Sequence, residues 1–130
     1  MRTRNALAPV LALTAALALA GCSSGASPTS SPTTPAGNPV AGSWGQENTG
    51  KPSITIAEDG SFNGTDGCNS MAGHGKVAGD RFELGAFRIT LMACKGVDTW
   101  LSRAASASRA GDTLTLFDKG GTQIGTLDKR

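Results

Sequence analysis

The side chains able to do chemistry in this 130-residue chain are few: three cysteines, a single histidine and ten carboxylates. Cys22 ends the run Leu19-Ala20-Gly21-Cys22, which has the form of a bacterial lipobox. Arg2 and Arg4 give a positive start, an apolar stretch runs from Ala6 to Ala20, and small residues let a peptidase reach the backbone beside the thiol. This pattern predicts diacylglyceryl transfer to the Cys22 sulfur and cleavage before it, with residues 1–21 as a signal peptide. One acyl chain anchors marginally and two anchor stably, so the expected partner is a cell membrane, held through lipid on its extracytoplasmic face. A spanning helix needs about 20 apolar residues; this stretch is shorter and Pro9 interrupts it. An ordinary secretory cut near Ala20 is the alternative, and it leaves the lipobox as coincidence.

With Cys22 acylated, Cys68 and Cys94 remain as an even pair in an oxidising compartment, where disulfides persist. Closing their 26-residue separation would contribute about 3.5 kcal/mol in the loop-entropy model. Two free buried thiols and a metal site are the competing readings. Zinc would need His74 or Asp66 beside both sulfurs, and no CxxC spacing supports it. Lys95 beside Cys94 keeps a thiol switch open, since a nearby cation lowers a thiol pKa.

Enzymatic chemistry finds little support. His74 is the one imidazole base, it lies between Gly73 and Gly75, and nothing in the pattern identifies a third group to orient it. Glu47, Glu58, Asp59, Asp66 and Asp80 could supply a carboxylate pair, but turn roles already account for Asp59 and Asp80. Gly64, Gly67, Gly73 and Gly75 lack the Gly-Lys-Ser/Thr end of a phosphate loop. The expectation is a domain with no catalytic residues, no metal and no cofactor.

Composition bounds the rest. From Ser23 to Pro39 every residue is Ser, Thr, Gly, Ala, Pro or Asn, too polar and small to offset ordering entropy. Residues 22–39 are therefore expected to be a lipidated cysteine and a disordered linker, and 40–130 a single domain. The whole-chain charge of +2 misleads. Of 12 basic residues Arg2 and Arg4 fall in the leader, leaving ten against ten acidic ones. A neutral domain without a basic stripe does not suit nucleic-acid binding.

The elements that must position these groups read as short strands between turns. Ser53–Ala57 alternates, Glu58-Asp59-Gly60 turns the chain, and Ser61–Gly64 returns. Gly67–Gly75 is expected as an irregular turn or bulge. Lys76-Val77 leads into the turn Ala78-Gly79-Asp80, Phe82 and Leu84 share a face, and Phe87, Ile89 and Leu91 repeat the period of two. Val97, Trp100, Leu101, Ala104 and Ala105 have helical spacing, with Gly111 as the stop. Leu114 and Leu116 then mark a strand, Asp118–Gly121 a turn, and Gln123–Leu127 the return. Trp44 is expected in the first strand with its ring buried and its N–H bonded. The fold class is α+β and mainly antiparallel β: a curled, barrel-like sheet with one helix inserted before the last two strands.

Gly42-Ser43-Trp44, the Asp59-Gly60 hairpin, Gly67-Cys68-Asn69 followed by Gly73, Thr90-Leu91-Met92-Ala93-Cys94, Trp100-Leu101 and Leu114-Thr115-Leu116 together resemble a META domain, the HslJ-like family. The resemblance spans nearly all of 40–130, and the Gly-Cys-Asn and Met-Ala-Cys blocks are its most specific part. It implies a β-rich domain with a single helix, often on a lipoprotein, with heat or envelope-stress associations and a link to novobiocin resistance, and no established enzymatic activity. Where many members carry arginine this chain has Leu91 before Met92 and Ser70 after Asn69, which puts an anion-binding role in doubt.

Function concentrates on loops held by a scaffold. The candidate interaction face is therefore the Asp66–His74 passage with the Thr90–Cys94 segment, carrying Asp66, Asn69, Met71, His74, Thr90 and Met92. The expected function is a surface-anchored, non-catalytic domain that binds an envelope component or supports envelope stress tolerance. A secreted inhibitor or partner of an extracellular enzyme is the alternative, and both segments acting only as barrel closure is the bland one.

Overall fold

The computed structural model describes residues 37–130. The expected signal peptide, the expected lipidation site Cys22 and the expected linker up to residue 36 lie outside the described residues. Ten strands follow in order: β1 Gly42–Gly45, β2 Ser53–Ile56, β3 Ser61–Thr65, β4 Ser70–His74, β5 Lys76–Ala78, β6 Arg81–Glu83, β7 Phe87–Ile89, β8 Ser106–Ala110, β9 Thr113–Phe117 and β10 Gln123–Asp128. They form two five-stranded antiparallel sheets, ordered β1-β2-β3-β4-β7 and β10-β9-β8-β6-β5. Mainly antiparallel β is thus what the alternating sequence produces.

Two expectations need correction. The sheet does not close into a barrel: the two sheets meet through an isolated bridge, Trp44 to Lys129, and through Gly75, the residue between β4 and β5. A Cβ at Gly75 would come 2.4 Å from the Phe82 Cζ and 2.4 Å from the Glu83 carbonyl oxygen. Glycine there lets the chain pass directly over the Phe82 ring from one sheet to the other.

The inserted helix is also absent from the described residues. Trp100–Arg103 makes one 3₁₀ turn, and Ala104 (ψ 132°) leads the chain into extended backbone. Ser106–Ala110 is then a strand paired on both sides, with β6 and β9. Ala107 is buried while Ser106 and Ser108 beside it are half-exposed. Serine has only middling helix preference, so two flanking ladders decide the backbone. Gly111, with φ 60°, is the hairpin glycine between β8 and β9 rather than a helix stop.

Gly67–Gly75 is likewise more regular than expected, since Ser70–His74 runs as β4 against both β3 and β7. In contrast β7 stops at Ile89, and Leu91 does not continue its face.

The core joins both sheets. Trp44, Ile54, Ile56, Phe62 and Met71 come from the first; Phe82, Ala107, Leu114, Leu116 and Leu127 from the second, with Val40 from the turn before β1 and Leu84, Leu101 and Ala104 from the connections. Each large side chain buried this fully contributes about 1.5–3 kcal/mol. Phe62 sits edge-on to both Phe82 and Phe87, with ring centroids 6.4 and 5.8 Å apart. Trp44 is fully buried in β1 and donates its indole N–H to the Val40 carbonyl at 2.9 Å, the partner its burial demands. The fold reaches back to Asn38, whose backbone N–H donates to Glu58 and whose side-chain amide donates to the Ala57 carbonyl.

Candidate functional site

The β3–β4 turn is built around one carboxylate. Asp66, 1% exposed, accepts the backbone N–H groups of Cys68 (2.9 Å) and Asn69 (2.6 Å) on Oδ1 and the Asn69 amide on Oδ2 (3.2 Å). Burying a carboxylate is costly unless its oxygens are bonded, and the turn's own donors meet that need. Gly67 (φ 98°) supplies the left-handed residue, and a Cβ there would lie 2.9 Å from the Gly50 carbonyl oxygen. The β1–β2 connection therefore packs directly on this turn.

Asn69 carries the order from this turn to the segment after β7. Its Oδ1 accepts the Met92 N–H at 2.6 Å and the Thr90 hydroxyl at 3.2 Å. Thr90 in turn accepts the Ser70 N–H on Oγ1 (3.0 Å) and donates its own N–H to the Ser70 carbonyl (3.1 Å). The Cys68–Cys94 disulfide closes the same junction, with Cα atoms 5.8 Å apart. The pairing expected from cysteine parity is present, and it joins the two segments named as the candidate face.

The six candidate residues divide sharply. Asp66, Asn69 and Thr90 are brought together but bond to one another and to backbone. Met71, 2% exposed, points into the core. His74 is exposed at the other end of β4, opposite Ser61. Thr90 and Met92 both belong to the junction and are exposed, but the Thr90 hydroxyl is committed to Asn69 and Ser70, which leaves Met92, at 64% exposed, as the apolar side chain facing outward. Its neighbour Leu91 is 93% exposed, although its period-two spacing with Phe87 and Ile89 reads as strand, because β7 ends at Ile89. Together they form a two-residue apolar tip pinned from below by Asn69 and the disulfide.

Around His74 the three residue types of a hydrolytic triad gather in the wrong order. The Ser61 hydroxyl donates to Asp59 Oδ1 at 2.7 Å, and the Ser61 N–H donates to the same oxygen at 2.8 Å. A triad needs the serine hydroxyl on imidazole and the carboxylate behind it. These bonds instead hold the exposed Asp59 carboxyl below its ordinary value, the Ser61 hydroxyl being the main cause, its N–H next, and the charge of nearby His74 adding to both. No group of three or more metal-ligating side chains gathers among the described residues.

A family model described as META domain matches residues 36–130. No curated protein and no solved structure matches the chain.

Proposed function

The chain belongs to the META domain family, and we propose that it is a membrane-anchored, extracytoplasmic and non-catalytic domain that contacts an envelope component through the Leu91-Met92 tip. The observation that carries this reading is the tip itself: two adjacent large apolar side chains, 93% and 64% exposed, on a backbone fixed by Asn69 and the disulfide. Leaving such side chains in water forgoes about 1.5–3 kcal/mol of burial for each, and a pinned backbone lowers the ordering cost of giving them a partner. Support for the anchor is the Leu19–Cys22 sequence pattern. The described chain begins beside the β2–β3 turn, through the Asn38 bonds to Glu58 and Ala57, at the end of β3 opposite to the β3–β4 turn.

The non-catalytic part rests on how the reactive side chains are used. Cys68 and Cys94 are bonded to each other, and the Asp66 oxygens are occupied by the turn.

Photo-cross-linking on intact cells tests the reading. A photoreactive residue at position 92 should trap an envelope component, whereas the same residue at position 77, also an exposed apolar position, should not. Equal labelling from both positions would sink the tip as a contact, and trapping of a secreted enzyme would favour the inhibitor alternative. The anchor is checked separately by Cys22→Ser, which should abolish partitioning into detergent; continued partitioning would refute lipidation.

A further inference from the structure

A concavity distinct from the apolar tip gathers positive charge in a domain whose charges balance as a whole. It lies between the β1–β2 connection, Trp100 and the end of β10, with a volume of about 410 Å³, within the range of small-molecule sites. Trp100 supplies its one aromatic surface. The six-membered ring packs against β10 at Gly125, where a Cβ would come 2.6 Å from Cη2, so the indole is held in place by backbone. The buried Trp44 N–H is committed to Val40, whereas the Trp100 N–H has no acceptor among the described residues, and every buried side-chain polar atom among them is satisfied.

Pro52 and Leu127 add apolar wall beside the indole, and the polar side chains around the rim are Gln46, Lys51, Thr126, Asp128, Lys129 and Arg130. Three cations and one carboxylate thus line the concavity, in a domain whose ten basic and ten acidic residues balance as a whole. The Arg130 guanidinium is oriented by an ion pair with Glu47 and a bond to the Thr55 hydroxyl at 3.4 Å. Lys51 and Lys129 have no carboxylate within ion-pair distance among the described residues. Two unpaired ammonium groups beside a held indole ask for a ligand with both an anionic group and an apolar face.

We propose that this pocket binds a carboxylated sugar, with the pyranose C–H face on Trp100, hydroxyls on Gln46 and Asp128, and the carboxylate on Lys51 and Lys129. An inorganic anion would leave the indole unused. A flat aromatic acid would leave the hydrogen-bonding walls without partners, which costs affinity. A saccharide combines an apolar face with a rim of hydroxyls, and the acidic group answers the surplus of cations. This inference goes beyond the tip reading and does not depend on the anchor. The pocket and the disulfide junction share one end of the domain, since Gly50 of the same connection touches Gly67 and Val97.

The test is a nuclear magnetic resonance titration of the purified full chain, read at its two indole N–H signals. Glucuronate should shift the Trp100 signal with saturation in the millimolar range, about 1–10 mM, while the buried Trp44 signal stays still and reports an intact fold. Glucose and acetate should bind about tenfold more weakly or worse, because each keeps only half of the recognition. Lys51→Gln and Lys129→Gln, both at exposed positions, should each weaken glucuronate about threefold or more, with the loss shrinking at high salt. No saturable Trp100 shift with glucuronate would overturn the site. Equal binding of glucose, tighter binding of benzoate, or parallel shifts of both indoles would each overturn the assignment to an acidic sugar.

Discussion

At the scale of single residues, the decisive side chain is Asn69. One amide satisfies three demands: it donates to Asp66 and accepts from Met92 and Thr90. Asn69→Ala strands the Asp66 oxygen and two donors at once, so thermal unfolding should show a loss of about 1–3 kcal/mol, more than a surface change would cause. Asn69→Asp keeps the acceptor but sets a second carboxylate against Asp66, and it should be no more stable than the alanine variant. A variant as stable as the parent would mean that the disulfide alone holds the tip. Asp59 offers a pH readout. Its folded pKa is lowered, mainly by the Ser61 hydroxyl, so its contribution to stability is present above the ordinary carboxylate value and is lost as pH falls through the lowered one. Asp59→Asn should therefore differ from the parent at neutral pH and converge with it in acid, read as unfolding midpoints across a pH series. A constant offset at every pH would refute the linkage. Both residues were legible as polar turn formers. What each bonds to was not, because Asn69 reaches a partner 23 positions away, and residue type carries no record of that partner.

At the scale of elements, the sequence told hairpins well and the helix badly, and the reason lies in one stretch. Ala78-Gly79-Asp80-Arg81 and Ala110-Gly111-Asp112-Thr113 share a turn pattern, and both are tight hairpins in which the flanking residues pair, with glycine at φ 64° and 60°. The likeness could have marked Ser106–Ala110 as strand, because a hairpin turn needs a strand on each side. Helical spacing of Trp100, Leu101 and Ala104 masked it, and that spacing reaches only the one turn of 3₁₀. Since β8 draws its stability from ladders on both sides, Ala107→Pro should be far more damaging than proline at an exposed turn. It removes a ladder N–H at a fully buried position of a strand paired on both sides, a cost of about 3 kcal/mol or more. Gly75→Ala tests the sheet-to-sheet passage in the same way. Its Cβ would press on the Phe82 ring and the Glu83 carbonyl at 2.4 Å, so loss of cooperative folding is expected, whereas Gly96→Ala, with nothing within 4 Å, should cost only about 1 kcal/mol for its positive φ. Comparable melting curves for these two glycine variants would show that the passage over Phe82 is not tight.

At the scale of the whole molecule, the disulfide joins segments that secondary structure leaves loosely coupled. Cys68 lies between β3 and β4, Cys94 beyond the short edge strand β7, and β7 is paired on one side alone, with β4. Without the bond, the Thr90–Cys94 segment keeps the Asn69 and Ser70 hydrogen bonds but loses its covalent tie to the β3–β4 turn. A domain this small buries about 60–65% of its unfolded surface, which leaves little margin for such a loss. Cys68→Ala with Cys94→Ala should therefore lower stability by about 2–5 kcal/mol. The first amides to gain hydrogen exchange should be those of Thr90 and Met92, ahead of β8 and β9 in the middle of the second sheet. This order separates a structural clamp from a thiol switch. A clamp loosens the tip together with global stability, while a switch opens under mild glutathione and leaves the unfolding midpoint where it was. If reduction frees the tip without moving the midpoint, the bond regulates exposure of Leu91 and Met92; if both move together, it serves to keep those two side chains presented.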